Sequence, residues 1–200
     1  MNNDQIFETV ITTCSPAGVV HVAPMGVRYV EAPGGARVVV KPFRPSTTLD
    51  NLLTTRTAVL NLTTDVRVFA GCVTGRRDWP VLPASRPGEP TAVRLASTLE
   101  HVLLRVESVQ DDPERVTFSL SVVRAEQHAS FRGFNRAQAA VIEGAVLVSR
   151  LRMLPPEKVA TEMGYLQIAI DKTAGEAERE AWGWLQDAVA AHAARTRAAA

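Results

Sequence analysis

Two-thirds of the way along this 200-residue chain the spacing of its apolar residues changes. That change limits the fold more than any single motif does. Up to about residue 130 the apolar residues come in short, β-branched runs. These are IFETVITT (6–13), VVHVAPMGVRYV (19–30), ARVVVK (36–41), AVLNLT (58–63), HVLLRVESV (101–109) and RVTFSLSVV (115–123). Turn formers part them, as at Ser15-Pro16-Ala17-Gly18, Pro33-Gly34-Gly35 and Asp111-Asp112-Pro113. Closely spaced strands read this way, and six of them predict a small antiparallel barrel. A short helix is expected over 48–55, with Leu49, Leu52 and Leu53 on its apolar side. Residues 76–92 hold four prolines and read as a loop.

Beyond residue 131 the period becomes helical. NRAQAAVIEGAVLVSRLRML (135–154) places apolar residues at 137, 141, 142, 145, 148 and 151. PPEKVATEMGYLQIAI (155–170) opens on prolines, where a helix tolerates them. Thr173-Ala174-Gly175-Glu176 has capping-box spacing and predicts the start of a third, alanine-rich helix. The expectation is an α+β protein: a barrel domain over 1–130 and a helical extension over 131–200, packed on the barrel as one structural unit.

Composition removes several classes of function. Lys and Arg number 22 against 21 Asp and Glu, a net charge of +1, which gives no electrostatic reason to expect nucleic acid or a membrane surface. The amino terminus shows no signal-peptide pattern, and no apolar run approaches the length of a bilayer span. Cys14 and Cys72 have neither the number nor the spacing of a disulfide framework or a zinc site. A soluble cytoplasmic protein is expected. There is no GxGxxG after a strand, no P-loop and no GxSxG elbow, and the four histidines (21, 101, 128 and 192) lack ligand spacing, so no metal is expected. His128 reads as a solvated side chain.

The residues that call for an explanation lie at element junctions. KPFRPSTTLDNLL (41–53) gathers Arg44, Ser46, Thr47 and Thr48 where a strand gives way to a helix. Thr47-x-x-Asp50 can act as a helix cap. A phosphate would use every one of those groups: free amides and the helix dipole attract the anion, hydroxyls donate to it, and a guanidinium grips two oxygens. Pro24-Met25-Gly26-Val27 interrupts a strand pattern, which suits either a bend or a ligand close to bare backbone. Asn61 lies within an apolar strand and needs partners for its amide, from ligand or from backbone. Asn135 is a good N-cap, but Arg136 in the first turn opposes the dipole, and Lys172-Thr173 before the last helix raises the same question.

Taken together, IFETVITT, APMGV (23–27), PSTTLDNL (46–53), AVLNLTTDV (58–66), GFNRAQAAVIEGAVLVSRL (133–151) and DKTAGEAERE (171–180) resemble the FMN-binding split-barrel proteins, in the branch catalogued as domain of unknown function 447. The resemblance implies a six-stranded Greek-key split barrel with added helices, a homodimer, and FMN in a groove between subunits. By the same resemblance Arg44, Ser46, Thr47 and Thr48 hold the phosphate, and Met25, Gly26 and Val27 lie along the flavin ring. Asn61, Asn135, Arg136, Lys172 and Thr173 are further candidates. One departure is Phe43, where relatives lead one to expect a tyrosine.

The function implied is a flavoprotein oxidoreductase of unknown substrate, exchanging electrons with a small-molecule donor and acceptor. A non-catalytic FMN carrier or sensor, and a barrel holding another phosphorylated cofactor, are the alternatives. A flavin would perform the redox chemistry itself, which accounts for the lack of a visible catalytic acid or nucleophile.

Overall fold

The computed structural model describes residues 5–33, 35–113 and 115–198. The chain divides into two compact units, one made of residues up to 63 together with 78–131, the other of 64–77 together with 132 onward. The helical unit thus recruits a segment from within the stretch expected to be all barrel.

In the first unit, β1 (Phe7–Cys14), β2 (Val20–Val30), β3 (Arg37–Val40), β4 (Thr57–Leu62), β7 (Glu100–Gln110) and β8 (Thr117–Gln127) close into a barrel in the order β1-β2-β3-β8-β7-β4. All six strands are those expected, and every pairing is antiparallel. Inward residues alternate along each strand, as the pleat requires. Val27, Val38, Val40, Leu60, Leu104, Phe118 and Leu120 form a core with almost no exposed surface.

Helix α1 (Thr47–Thr55) contributes Leu49 and Leu52 to that core, and Asn51 Nδ2 donates to Thr13 Oγ1 at 2.9 Å. Leu53, expected on the apolar side, is exposed.

The loop expected over 76–92 instead leads into a two-stranded hairpin, β5 (Val81–Pro83) with β6 (Val93–Leu95). It lies against the outward face of the barrel wall, where Ala84 and Ala92 pack with Val59 and Leu103. Arg124 on β8 fastens the turn, donating to Glu89 Oε1 at 2.8 Å and Oε2 at 3.0 Å. The guanidinium holds the Glu89 carboxyl down to about 2.

The second unit contains α2 (Arg67–Val73), α3 (Arg136–Ser149), α4 (Pro156–Thr173) and α5 (Glu176–Ala198). Helix α2 is not among the elements expected from the sequence. Gly144 allows α3 and α5 to approach closely, since a Cβ there would meet the Trp182 ring at 2.8 Å. No described helix is long and apolar enough to cross a membrane.

Candidate functional site

Backbone at the junction of β3 and α1 places three of the predicted side chains together. Ser46, with extended backbone, is the N-cap: its Oγ accepts from Leu49 N–H at 3.3 Å, and its carbonyl accepts from Asp50 N–H at 3.1 Å. The cap is therefore Ser46 and not Thr47, whose place inside the helix frees its exposed hydroxyl, which makes no hydrogen bond among the described residues. Thr48 turns inward and is buried. The amides of Thr47 and Thr48 are first-turn donors with no intrahelical acceptor. Arg44 precedes a cis peptide bond to Pro45, and its guanidinium is ion-paired with Asp111, the arginine side chain partly and the aspartate mostly in solvent. Asp111 read only as a turn residue in the sequence; nothing local linked it to a position 67 residues away. Phe43 is exposed, with the Arg115 guanidinium 3.7 Å from its ring centre.

Met25, Gly26 and Val27 lie in an unbroken strand. β2 keeps register with β1 from Phe7↔Val27 to Cys14↔Val20, so no bulge interrupts the strand at Pro24. The proline is tolerated because β3 joins β2 only from Val27 onward, leaving one edge open beside Pro24. Gly26 is bare because Ile6 lies on it, at 2.8 Å from where a Cβ would stand. Val27 points into the barrel core, and Met25 packs partly against it. Further along the strand, Tyr29 meets Phe7 edge to face, and burial, with Glu100 nearby, pushes its phenol up.

Asn61 is fully buried with its amide in use by the chain. Nδ2 donates to Val10 O and Val59 O, each at 3.2 Å, and Oδ1 accepts from Leu95 N–H at 2.8 Å. Of the two sources of partners open in the sequence, backbone is the one realised here.

The four remaining candidates meet within the helical unit. Asn135 caps α3, its Oδ1 accepting from Ala137 N–H at 2.8 Å, and its Nδ2 donates to Thr173 O at 3.0 Å. Thr173 Oγ1 accepts from the same Ala137 N–H at 3.0 Å and donates to Ala169 O at 2.8 Å. Thr173 therefore ends α4 and does not cap α5; the box expected there is replaced by Glu178 Oε2 accepting from Gly175 N–H at 2.9 Å. Lys172 sits in the last turn of α4, where the dipole favours a cation, so its charge needs no anionic partner. Arg136 and Lys172 are exposed and flank this junction. No group of three or more potential metal-ligating side chains occurs among the described residues.

A closed six-stranded Greek-key barrel with α1 set against its core is the split-barrel fold, and solved structures agree. The FMN-bound protein MM1853 from Methanosarcina mazei superposes with a TM-score of 0.76 at 19% identity, covering 92% of this chain and 94% of that one. Flavoredoxin from Methanosarcina acetivorans gives 0.51 at 15% identity, over 64% of this chain and 74% of its own. An FMN-binding protein from Thermus thermophilus, solved with p-hydroxybenzaldehyde, gives 0.52 at 12%, over the same 64% and 74%. At such identities the likeness is one of fold.

Family membership comes from the sequence: residues 7–129 match the model described as protein of unknown function (DUF447) N-terminal domain, and residues 135–187 the model described as protein of unknown function (DUF447). The chain belongs to the DUF447 family. No curated protein matches it.

Proposed function

We propose that this chain is an FMN-binding flavoprotein, an oxidoreductase that works as a homodimer on a small-molecule donor and acceptor. One observation carries the reading: a family member solved with FMN bound shares the fold over 92% of this chain. The residues at the start of α1 suit the group. A phosphate dianion needs donors and positive charge, and the amides of Thr47 and Thr48, the hydroxyls of Ser46 and Thr47 and the Arg44 guanidinium offer both within five residues.

In this reading Arg44 turns from Asp111 to the phosphate, an exchange made easy by the solvent exposure of that ion pair. Thr48 contributes its amide, since its side chain is buried. Met25 and Gly26 offer strand backbone and the Met25 side chain to the flavin ring, whereas Val27, buried and paired on both edges, shapes the wall behind them. Asn61 supports the barrel wall. Bound flavin would supply the electron or hydride transfer.

The test is an absorption spectrum of the purified protein with mass analysis of what heat releases. A flavin spectrum and an FMN mass are expected; a colourless protein that also fails to take up added FMN overturns the reading. Bleaching by NADH or NADPH, followed by reoxidation by an acceptor, separates an oxidoreductase from a carrier. Light scattering in solution tests the dimer.

A further inference from the structure

His101, on the outward face of β7, has no part in the site above. It is 2% exposed and pairs across the sheet with Asn61 on one side and Glu126 on the other. Its Nδ1 lies 2.7 Å from His128 Nε2, with the two rings within 6° of parallel. Stacked rings cannot come so close, so the imidazoles lie side by side in one plane, joined by a single N–H···N bond. His101 Nε2 is buried with no hydrogen-bond partner among the described residues. His128 is exposed, and beside it the backbone N–H groups of His128 and Ala129 donate to Leu99 O at 2.7 and 3.1 Å.

We propose that His101 and His128 form a tautomer-locked, pH-sensitive clasp that fastens the chain leaving β8 to the start of β7 and opens when the pair takes up a proton. In the neutral pair His101 donates from Nδ1 to His128 Nε2, and its own Nε2 is a bare lone pair. Adding a proton while keeping the bond puts a hydrogen on His101 Nε2, whichever ring carries the charge. If His101 is the imidazolium, both its nitrogens are protonated. If His128 is, it donates to His101 Nδ1, and the hydrogen of His101 must move to Nε2. A buried N–H without an acceptor carries the full cost of its lost hydration. The alternative is for His128 to carry the proton out to water, where a water can take its place as acceptor for the His101 N–H, which breaks the clasp.

The surrounding charges leave that choice in place. Glu126 on β8 attracts a proton to His101, whereas Arg94 on β6 and Arg124 on β8 oppose it, and burial opposes it most, so the His101 imidazole is pushed down from its ordinary value. Glu126 is itself engaged with Arg124 at 3.2 Å and Arg86 at 3.6 Å. A lowered histidine contributes stability that is present above the ordinary imidazole value and is lost as pH falls through the lowered one.

The experiment uses the full chain and His128→Gln, whose side-chain oxygen can accept from His101 Nδ1–H but does not titrate. Long-range proton–nitrogen NMR at about pH 7.5 should place the His101 hydrogen on Nδ1. Amide exchange, corrected for its intrinsic pH dependence, is then compared between about pH 7.5 and about pH 5.5, either side of the ordinary imidazole range. Protection at Ala129 should fall about tenfold in the natural chain, hold in His128→Gln, and stay constant at Leu104 in both. A hydrogen on His101 Nε2 at neutral pH overturns the proposal. So does unchanged protection at Ala129, an equal fall in the variant, or a parallel fall at Leu104.

Discussion

At the start of α1 a serine oxygen accepts from Leu49 N–H, and at the start of α3 an asparagine oxygen accepts from Ala137 N–H. Both junctions carry a basic residue beside the cap, and in the sequence they pose the same question. They differ in what is left over once the chain has met its own needs. At α3, the side chains of Asn135 and Thr173 between them bond Thr173 O, Ala137 and Ala169, so neither cap side chain has an oxygen left over beside the charges of Arg136 and Lys172. At α1, Ser46 alone completes the cap, so the hydroxyl of Thr47 is surplus beside first-turn amides that both helices share. A cap satisfies the chain, whereas a binding site requires donors beyond the cap.

The sharpest way to break this comparison is to loosen one junction from below. Leu52 is fully buried and seats α1 in the barrel core; Leu52→Ala should cost about 2–5 kcal/mol in denaturant unfolding and weaken FMN uptake as well. Asn135→Ala removes a cap and a tie to α4, so a loss of about 1–2 kcal/mol is expected, with FMN content unaltered. A fall in FMN content would place the α3 junction in the site. Ser46→Ala should lower both stability, by about 1 kcal/mol, and FMN affinity, since one oxygen serves both roles.

The smallest effect on stability is the most informative. Thr47→Ala should leave unfolding within about 0.5 kcal/mol. Its FMN dissociation constant, measured by fluorescence titration, should rise about tenfold while that of riboflavin, which has no phosphate, stays level. Equal losses for both ligands would remove Thr47 from phosphate binding.

What could be read in advance followed the reach of each interaction along the chain. The six barrel strands were visible because β-branched runs and turn residues are local signals, and the α3 period and the proline start of α4 were visible for the same reason. β5 and β6 were not, because each is three residues long and the segment between them is rich in proline. RVFAGCV of α2 is seven residues with five buried, too short and too evenly apolar to show a period. Ser46 and Thr47 are interchangeable as caps in composition, and only backbone geometry assigns the role. Asp111 beside Arg44 and His128 beside His101 are long-range meetings that strand pairing creates, without any spacing to announce them.

Asn61 has a consequence for how the barrel finds its pairing. Leu60 on one side of it belongs to the inner core, while Asn61 itself faces the hairpin and binds β1 and β6 at once. Sliding β4 by a single residue would turn that amide into the apolar interior and offer a leucine to the Leu95 amide. A wrong register would therefore strand polar groups on both faces of the wall in one step. One asparagine thus works as an alignment key, admitting a single setting of three strands.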